Sequence, residues 1–278
     1  MAHDQEPQHD VRKSASSGAG ILSGIGAEPQ KWALFLDIDG TLVDIADTPD
    51  EIVVPPELPK HLDQLSRLLG GALALVTGRA LPYADRLFSP HQFPIAGLHG
   101  AERRSAAGTV DRVEPSGAFE ELKTTIAGQA RQWPGILIED KGLAIAAHYR
   151  QAPEYQQAVE AMMTHCLDLS GPDFTLQRGK MVLEIRPARA SKGEALKAFL
   201  SEPPFVGRMP IAIGDDVTDE AMFRVANEVG GHSIRIAETA AETVATSVLA
   251  SAAELRAILA TLGAASSQPD NSSGKEAS

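Results

Sequence analysis

Short, unbroken apolar runs alternate with helical stripes along most of this chain. Trp32-Ala-Leu-Phe-Leu36, Ala72-Leu-Ala-Leu-Val76 and Pro210-Ile-Ala-Ile213 are continuous and brief, the pattern of strands buried on both faces. Residues 231–236 predict a fourth such strand. Between them, residues 56–69 predict a helix whose apolar stripe is Leu58, Leu62, Leu65, Leu68 and Leu69. Residues 218–225 predict another, capped by Thr218, and residues 252–262 a closing helix. Strands alternating with helices imply a mostly parallel sheet covered on both faces. The middle of the chain departs from that rhythm. Helical stretches at 119–133 and 153–169 are each followed by two strand runs. The first pair, 135–139 and 143–149, turns at Asp140-Lys-Gly142; the second, 174–177 and 181–186, turns around Gly179-Lys180. This order predicts an α+β module inserted into an α/β domain. The expected division is a core at 31–111 and 187–265 and a cap at 112–186. Polar, Gly/Ser-rich tails at 1–30 and 266–278 are expected to be disordered.

Composition narrows the function without naming it. In 278 residues, 43% hydrophobic and 22% charged, 37 acidic side chains outnumber 25 basic ones for a net charge of −12. That balance opposes a nucleic-acid or anionic-membrane surface, although a local cation can still draw an anion into one pocket. A single cysteine, Cys166, precludes an intramolecular disulfide or a cysteine-based zinc cluster and fits a reducing compartment. Lacking a basic, apolar leader or a membrane-length apolar run, the chain is expected to be cytoplasmic and to act as a monomer. Two motif-like segments carry little weight. Gly18-Ala-Gly-Ile-Leu-Ser-Gly24 has the wrong glycine spacing for a dinucleotide loop and no strand before it, and Asn271-Ser-Ser273 has no secretory context.

Chemistry gathers where strands end. Asp37-Ile-Asp39-Gly-Thr41 follows the first strand, and extended geometry would aim residues two apart the same way. Asp215-Asp216-Val-Thr-Asp219-Glu220 follows the third. Carboxyl ends of strands in open α/β sheets are where ligands bind. So many carboxylates in one crevice repel unless a hard cation such as Mg²⁺ joins them. Thr77-Gly-Arg79 offers a hydroxyl, amides and a guanidinium, and Ser191-Lys192-Gly193 an ammonium at a helix start. Two acids, cations, a hydroxyl and a helix start suit phosphoryl transfer. Singly, each has a plainer reading as a cap or a solvated group; their joint order carries the argument. An EF-hand fails on the glycine position, and no triphosphate-binding loop is present.

These motifs resemble the haloacid dehalogenase (HAD) superfamily of phosphohydrolases and, more closely, its trehalose-6-phosphate phosphatases. The closer likeness rests on Leu36-Asp-Ile-Asp-Gly-Thr-Leu42, Gly97-Leu-His-Gly-Ala-Glu-Arg103, Lys141-Gly142 with His148-Tyr-Arg150, Gly179-Lys-Met-Val-Leu-Glu-Ile-Arg-Pro187 and Gly214-Asp-Asp-Val-Thr-Asp-Glu220. The resemblance spans about 31–262 and implies a Rossmann-like core with a C2-type cap. It implies Mg²⁺-dependent hydrolysis of trehalose 6-phosphate, the last step of trehalose biosynthesis, through an aspartyl-phosphate. Asp37 would be the nucleophile and Asp39 the general acid and base; Thr77 and Lys192 would hold the phosphoryl group. Asp37, the Asp39 carbonyl and Asp215 would bind the metal, with Asp216 and Asp219 behind them. Lys180 and Glu184, read as facing one way along a single strand, would bind sugar hydroxyls. Arg79, His99, Gly100, Glu102 and Arg103 are further candidates for substrate contact, with His99, Glu102 and Arg103 placed where the core hands over to the cap and readable either as hinge or as sugar contacts; Arg150 and His148 are weaker candidates. The alternatives are a phosphatase for another sugar phosphate, such as sucrose 6-phosphate, and a non-catalytic phosphosugar-binding regulator. The presence of both Asp37 and Asp39 speaks against the regulator.

Overall fold

The computed structural model describes residues 17–46, 48, 51–112, 116–188, 190–239 and 242–265. Its larger sheet has eight strands in the order β12-β11-β10-β1-β2-β3-β4-β5. These are β1 (Trp32–Leu36), β2 (Leu73–Val76), β3 (Ile95–Gly97), β4 (Glu102–Arg104), β5 (Val110–Arg112), β10 (Met209–Gly214), β11 (His232–Ile236) and β12 (Ser247–Leu249). The first six in that order run parallel; β4 and β5 are antiparallel additions at one edge. All side chains of β1 and β2 are buried, as continuous apolar strands between two helical layers must be. Helix α2 (Leu58–Leu68) buries Leu58, Leu62 and Leu65 and packs against α8 (Ala252–Ala265). Opposite them, α6 (Lys192–Leu200) packs against α7 (Glu220–Glu228). The chain leaves β1 in one direction toward β2 and β3, and later fills β10 to β12 on the other side. The boundary between β1 and β10 is therefore the switch point of the sheet, where such folds open a crevice beyond the strand ends.

A second sheet, β6-β7-β9-β8, is wholly antiparallel. It comprises β6 (Leu137–Asp140), β7 (Ile145–His148), β8 (Phe174–Gly179) and β9 (Val182–Pro187). Helices α4 (Gly117–Ala130) and α5 (Gln156–Ser170) cover one face, burying Phe119, Leu122, Ile126, Val159, Met162, Met163 and Cys166 against Ile145, Ala147, Leu183 and Ile185. Period-two alternation sends His148, Val182 and Glu184 to the opposite face, toward the core. This is the inserted α+β module expected from the sequence.

Three expectations change. Residues 18–26 are not tail: α1 (Gly18–Ser23), capped by Ser17, continues into a 3₁₀ turn, and Leu22 and Ile25 are fully buried in the main core. Polar and glycine neighbours mask those few apolar side chains in the sequence, yet burying each contributes roughly 1.5–3 kcal/mol. The same helix disposes of the glycine-rich segment at 18–24. The first 16 residues and the last 13, Asn271 among them, lie outside the described residues. Secondly, Thr218 does not cap the helix after β10. Asp216 and Asp219 form a reciprocal capping box around a 3₁₀ turn, and α7 begins after it. Thirdly, Lys180 is not on a strand with Glu184; it sits in the β8–β9 turn, where Met181 takes a φ of +65°.

Candidate active site

The two acidic segments meet at the switch point. The Asp37 amide donates to the Ile213 carbonyl (3.0 Å), prolonging the β1–β10 ladder by one rung and fixing where its side chain projects. One carboxylate oxygen from each of Asp37, Asp215 and Asp219 lies within 4.8 Å of the others. Gly40, with φ +77°, turns the chain sharply beside Asp215; a Cβ there would overlap that carboxylate. The Thr41 hydroxyl approaches Asp215 Oδ1 at 3.4 Å.

Lys192, at the first turn of α6, reaches Asp37 Oδ1 (2.7 Å) and Asp219 Oδ1 (2.6 Å) and is almost wholly buried. Burial alone would lower its pKa, but Asp219 and Asp37 overcome that and push it up, so the ammonium stays charged. Asp219 also accepts from the Asp216 amide (2.9 Å), so both its oxygens are engaged. Burial raises Asp37 well above the usual carboxylate range; Lys192 opposes, while Asp219 and Asp215 reinforce the rise. Burial and Asp219 likewise push Asp215 up to about 7. Two carboxylates driven toward protonation, in an all-oxygen donor set, match the needs of a hard divalent ion that would stabilise their charged forms.

Arg79 grips Asp39 through two hydrogen bonds, Nε to Oδ2 (2.8 Å) and Nη2 to Oδ1 (2.7 Å), and stacks over Tyr83. The Arg79 amide donates to the buried Thr77 hydroxyl (3.1 Å). The amides of Leu98 and His99, both at positive φ, tie back to the carbonyls of Arg79 and Thr77.

Between core and cap lies a cavity of about 430 Å³, lined from the core by Asp37, Asp39, Arg79, His99, Lys192 and Asp215. The cap contributes Glu139, Lys141, His148, Arg150, Lys180 and Glu184. Lys141 pairs with Glu184 (2.5 Å) and also reaches the core's Gly78 carbonyl (3.4 Å). Glu184 raises the Lys141 pKa against the opposing effect of burial. His99 Nε2 stands 3.5 Å from Glu184 Oε1, and burial, then Lys192 and Lys141, keep the ring neutral. His99 Nδ1 and Glu184 Oε1 are buried without hydrogen-bond partners, leaving capacity for a ligand's hydroxyls. Glu139 binds His148 (2.9 Å).

Of the residues singled out in the sequence, Thr77, Gly100, Glu102, Arg103 and Asp219 do not line this cavity; Thr77 and Asp219 are fully buried at its floor beside residues that do. Glu102 is buried beneath it and accepts from the Leu81 amide (2.6 Å), which starts α3 (Leu81–Leu87). Arg103 alternates away on β4 and pairs with Glu202 and Asp111. At Gly100, with φ +104°, a Cβ would come within 2.9 Å of the Ser191 carbonyl. Conversely, Lys141 and Glu139 line the cavity although the sequence pattern assigns neither a role at the site. The Asp140-Lys-Gly142 turn was visible as a turn, but nothing local showed that its lysine crosses the cleft.

The trehalose-phosphatase family model matches residues 35–255. The chain belongs to that family. It is 57% identical to a probable trehalose-phosphate phosphatase of Sinorhizobium fredii over 89% of this chain and 94% of that protein. It is 43% identical to the trehalose-6-phosphate phosphatase of Escherichia coli, covering 74% of this chain and 77% of that one. The C-terminal domain of Candida albicans trehalose-6-phosphate phosphatase superposes with a TM-score of 0.79 at 21% identity, covering 90% and 98% of the two chains, a likeness of fold. Among the described residues no helix is long and apolar enough to cross a membrane.

Proposed function

We propose that this protein hydrolyses trehalose 6-phosphate to trehalose and phosphate, with Asp37 as nucleophile and Mg²⁺ as cofactor. The observation that carries the reading is the union, in one cavity, of Asp37, Lys192 and Asp215 on the core side with Lys141 and Glu184 on the cap side. An Asp37 oxygen attacks phosphorus as the bond to the sugar oxygen breaks, and Asp39 delivers a proton to the departing hydroxyl. Asp39 then takes a proton from the water that attacks phosphorus, which frees Asp37 and releases phosphate. Lys192 favours the ionised form of Asp37 against burial and, with Thr77, holds the phosphoryl oxygens. Asp37 and Asp215, together with the Asp39 carbonyl, would hold Mg²⁺, which would offset the charge of the phosphoryl group. Arg79 occupies both oxygens of Asp39 in this state, so its fork has to swing away before Asp39 can reach a leaving oxygen; an incoming phosphate is an alternative anion for it. The unpartnered oxygen of Glu184, with Lys141 and Lys180, suits the hydroxyls of the sugar that does not react, and binding there sets specificity.

Phosphate release from trehalose 6-phosphate, sucrose 6-phosphate and glucose 6-phosphate, each with Mg²⁺ and with chelator, tests the reading. A marked preference for trehalose 6-phosphate that vanishes on chelation is expected. Equal rates on all three would refute the specificity, and full activity in chelator would refute the metal.

A further inference from the structure

Behind the cavity wall, Lys123 of α4 is a buried cation remote from the phosphoryl chemistry. Only about 6% of its side chain is exposed. Its ammonium binds Asp140 Oδ1 (2.9 Å), the Gly142 carbonyl (3.1 Å) and Glu120 (2.8 Å). The same Asp140 oxygen accepts the Gly142 amide (2.8 Å), and the Lys141 amide donates to the Ala144 carbonyl (2.9 Å). The β6–β7 turn is thus clamped at residues 140 and 142 from the helix side. The residue between them, Lys141, projects to the other side, where it meets Glu184 and crosses to the Gly78 carbonyl of the core. Gly78 immediately precedes Arg79, the residue that grips Asp39.

We propose that Lys123, through Asp140, is a positioning residue: it sets the turn that delivers the Lys141 ammonium to Glu184 and to the core loop, and so controls recognition of the sugar without touching it. Burying a lysine costs free energy unless its charge is paired, and an apolar residue would serve the cap's core more cheaply. Three acceptors converging on Lys123, two of them on one turn, indicate that what it fixes is backbone geometry. A displacement of about 1 Å at such a support is enough to cost on the order of tenfold or more in rate. The selectivity part of this inference rests on the sugar-phosphatase reading above; the positioning part does not.

The test uses Lys123→Met, Asp140→Ala and Asp140→Asn in the full chain. Asp140 is half exposed, so its variants are expected to fold even if Lys123→Met does not. Two quantities are measured. One is kcat/KM on trehalose 6-phosphate relative to a small aryl phosphate. The other is the rate at which Lys141 is reductively methylated, read by peptide mass spectrometry. Lys123→Met and Asp140→Ala are expected to lower the substrate ratio about tenfold, mostly through KM. Both should also speed Lys141 labelling several-fold. Asp140→Asn keeps the shared oxygen and should stay within about twofold of wild type. Unchanged Lys141 labelling in Asp140→Ala overturns the proposal, as does an equal loss on both substrates. If wild type shows no preference for trehalose 6-phosphate, the substrate reading fails, while Lys141 labelling still decides whether Lys123 positions the turn.

Discussion

Core and cap hold their charged groups in different ways. In the core, Asp37, Asp215, Lys192 and Thr77 each stand within a residue or two of a strand or helix end, and Lys192 and Asp219 are locked together out of solvent. The cap presents Arg150 and Lys180 at the edge of the cavity, tied to each other by a long 3.5 Å hydrogen bond from the Arg150 guanidinium to the Lys180 carbonyl. Its pair nearest the core, Lys141 with Glu184, joins the β6–β7 turn to strand β9 across 43 residues of chain and leans on the core. Rigid backbone attachment suits a reaction whose transition state needs fixed charges, and longer side chains on a separate module suit recognition of a sugar. The division of labour predicts that core substitutions remove turnover on every phosphate ester, and that cap substitutions discriminate between substrates.

The largest expected effect comes from Asp37→Asn. Replacing the nucleophile should cut kcat roughly 10⁴-fold or more on trehalose 6-phosphate and on an aryl phosphate alike. The fold should survive, because burial already disfavours the charge being removed. Circular dichroism with steady-state assays on both substrates checks this. Retention of activity on the aryl ester alone would mean that the core does not act as one unit.

Glu184→Ala sharpens the comparison from the other side. A charge-assisted hydrogen bond of about 1.5–3 kcal/mol is lost. The buried Lys141 is left without its main partner. About ten- to a hundredfold loss in kcat/KM on trehalose 6-phosphate is expected, with a much smaller loss on an aryl phosphate too short to reach the cap. Lys180→Ala should act in the same direction more weakly, since Lys180 is exposed in a turn. Equal losses on the two esters would make Glu184 a support of the whole cleft instead of a sugar contact.

The same contrast explains what could be read from the sequence. Core motifs are contiguous and fall at the ends of apolar runs, so Asp37, Asp39, Thr77, Lys192 and Asp215 were visible together with their surroundings. Strand β1 and its neighbours are buried on both faces, and that leaves an unmistakable pattern. Strands of three residues such as β3, β4, β5 and β12 leave almost none, and α1 hides two core residues among glycines. Glu102 and Arg103 lie off the cavity although their motif adjoins the site in sequence, because β4 carries one residue into a buried bond with the Leu81 amide and the other toward Glu202. Lys141 stands in a segment that carries the family likeness, but its role at the site depends on how two modules dock, which no local spacing encodes.

The smallest expected effect concerns the acidic cluster itself. Without a divalent ion, Asp215 titrates near 7 in the folded chain and Asp37 well above its ordinary value, against about 3.9 for an unfolded aspartate. From about pH 4 upward the unfolded chain has already released protons that the folded chain still holds. The stability of chelated protein therefore falls as pH rises through 7. His99, kept neutral by burial, works in the opposite sense below about pH 6.5, because the unfolded ring gains a proton that the folded one refuses. Comparing wild type with Asp215→Asn at each pH removes the histidine contribution, since both proteins carry it. In chelator, wild-type Tm relative to that variant should drop between pH 5.5 and 8, by about 2–4 °C for each kcal/mol of carboxylate strain. Saturating Mg²⁺ should raise wild-type Tm more at pH 8 than at pH 5.5 and leave the variant little changed. Thermal melts across this grid decide the matter: a Mg²⁺ response independent of pH, or equal in the two proteins, would show that Asp215 is not among the residues that meet the ion.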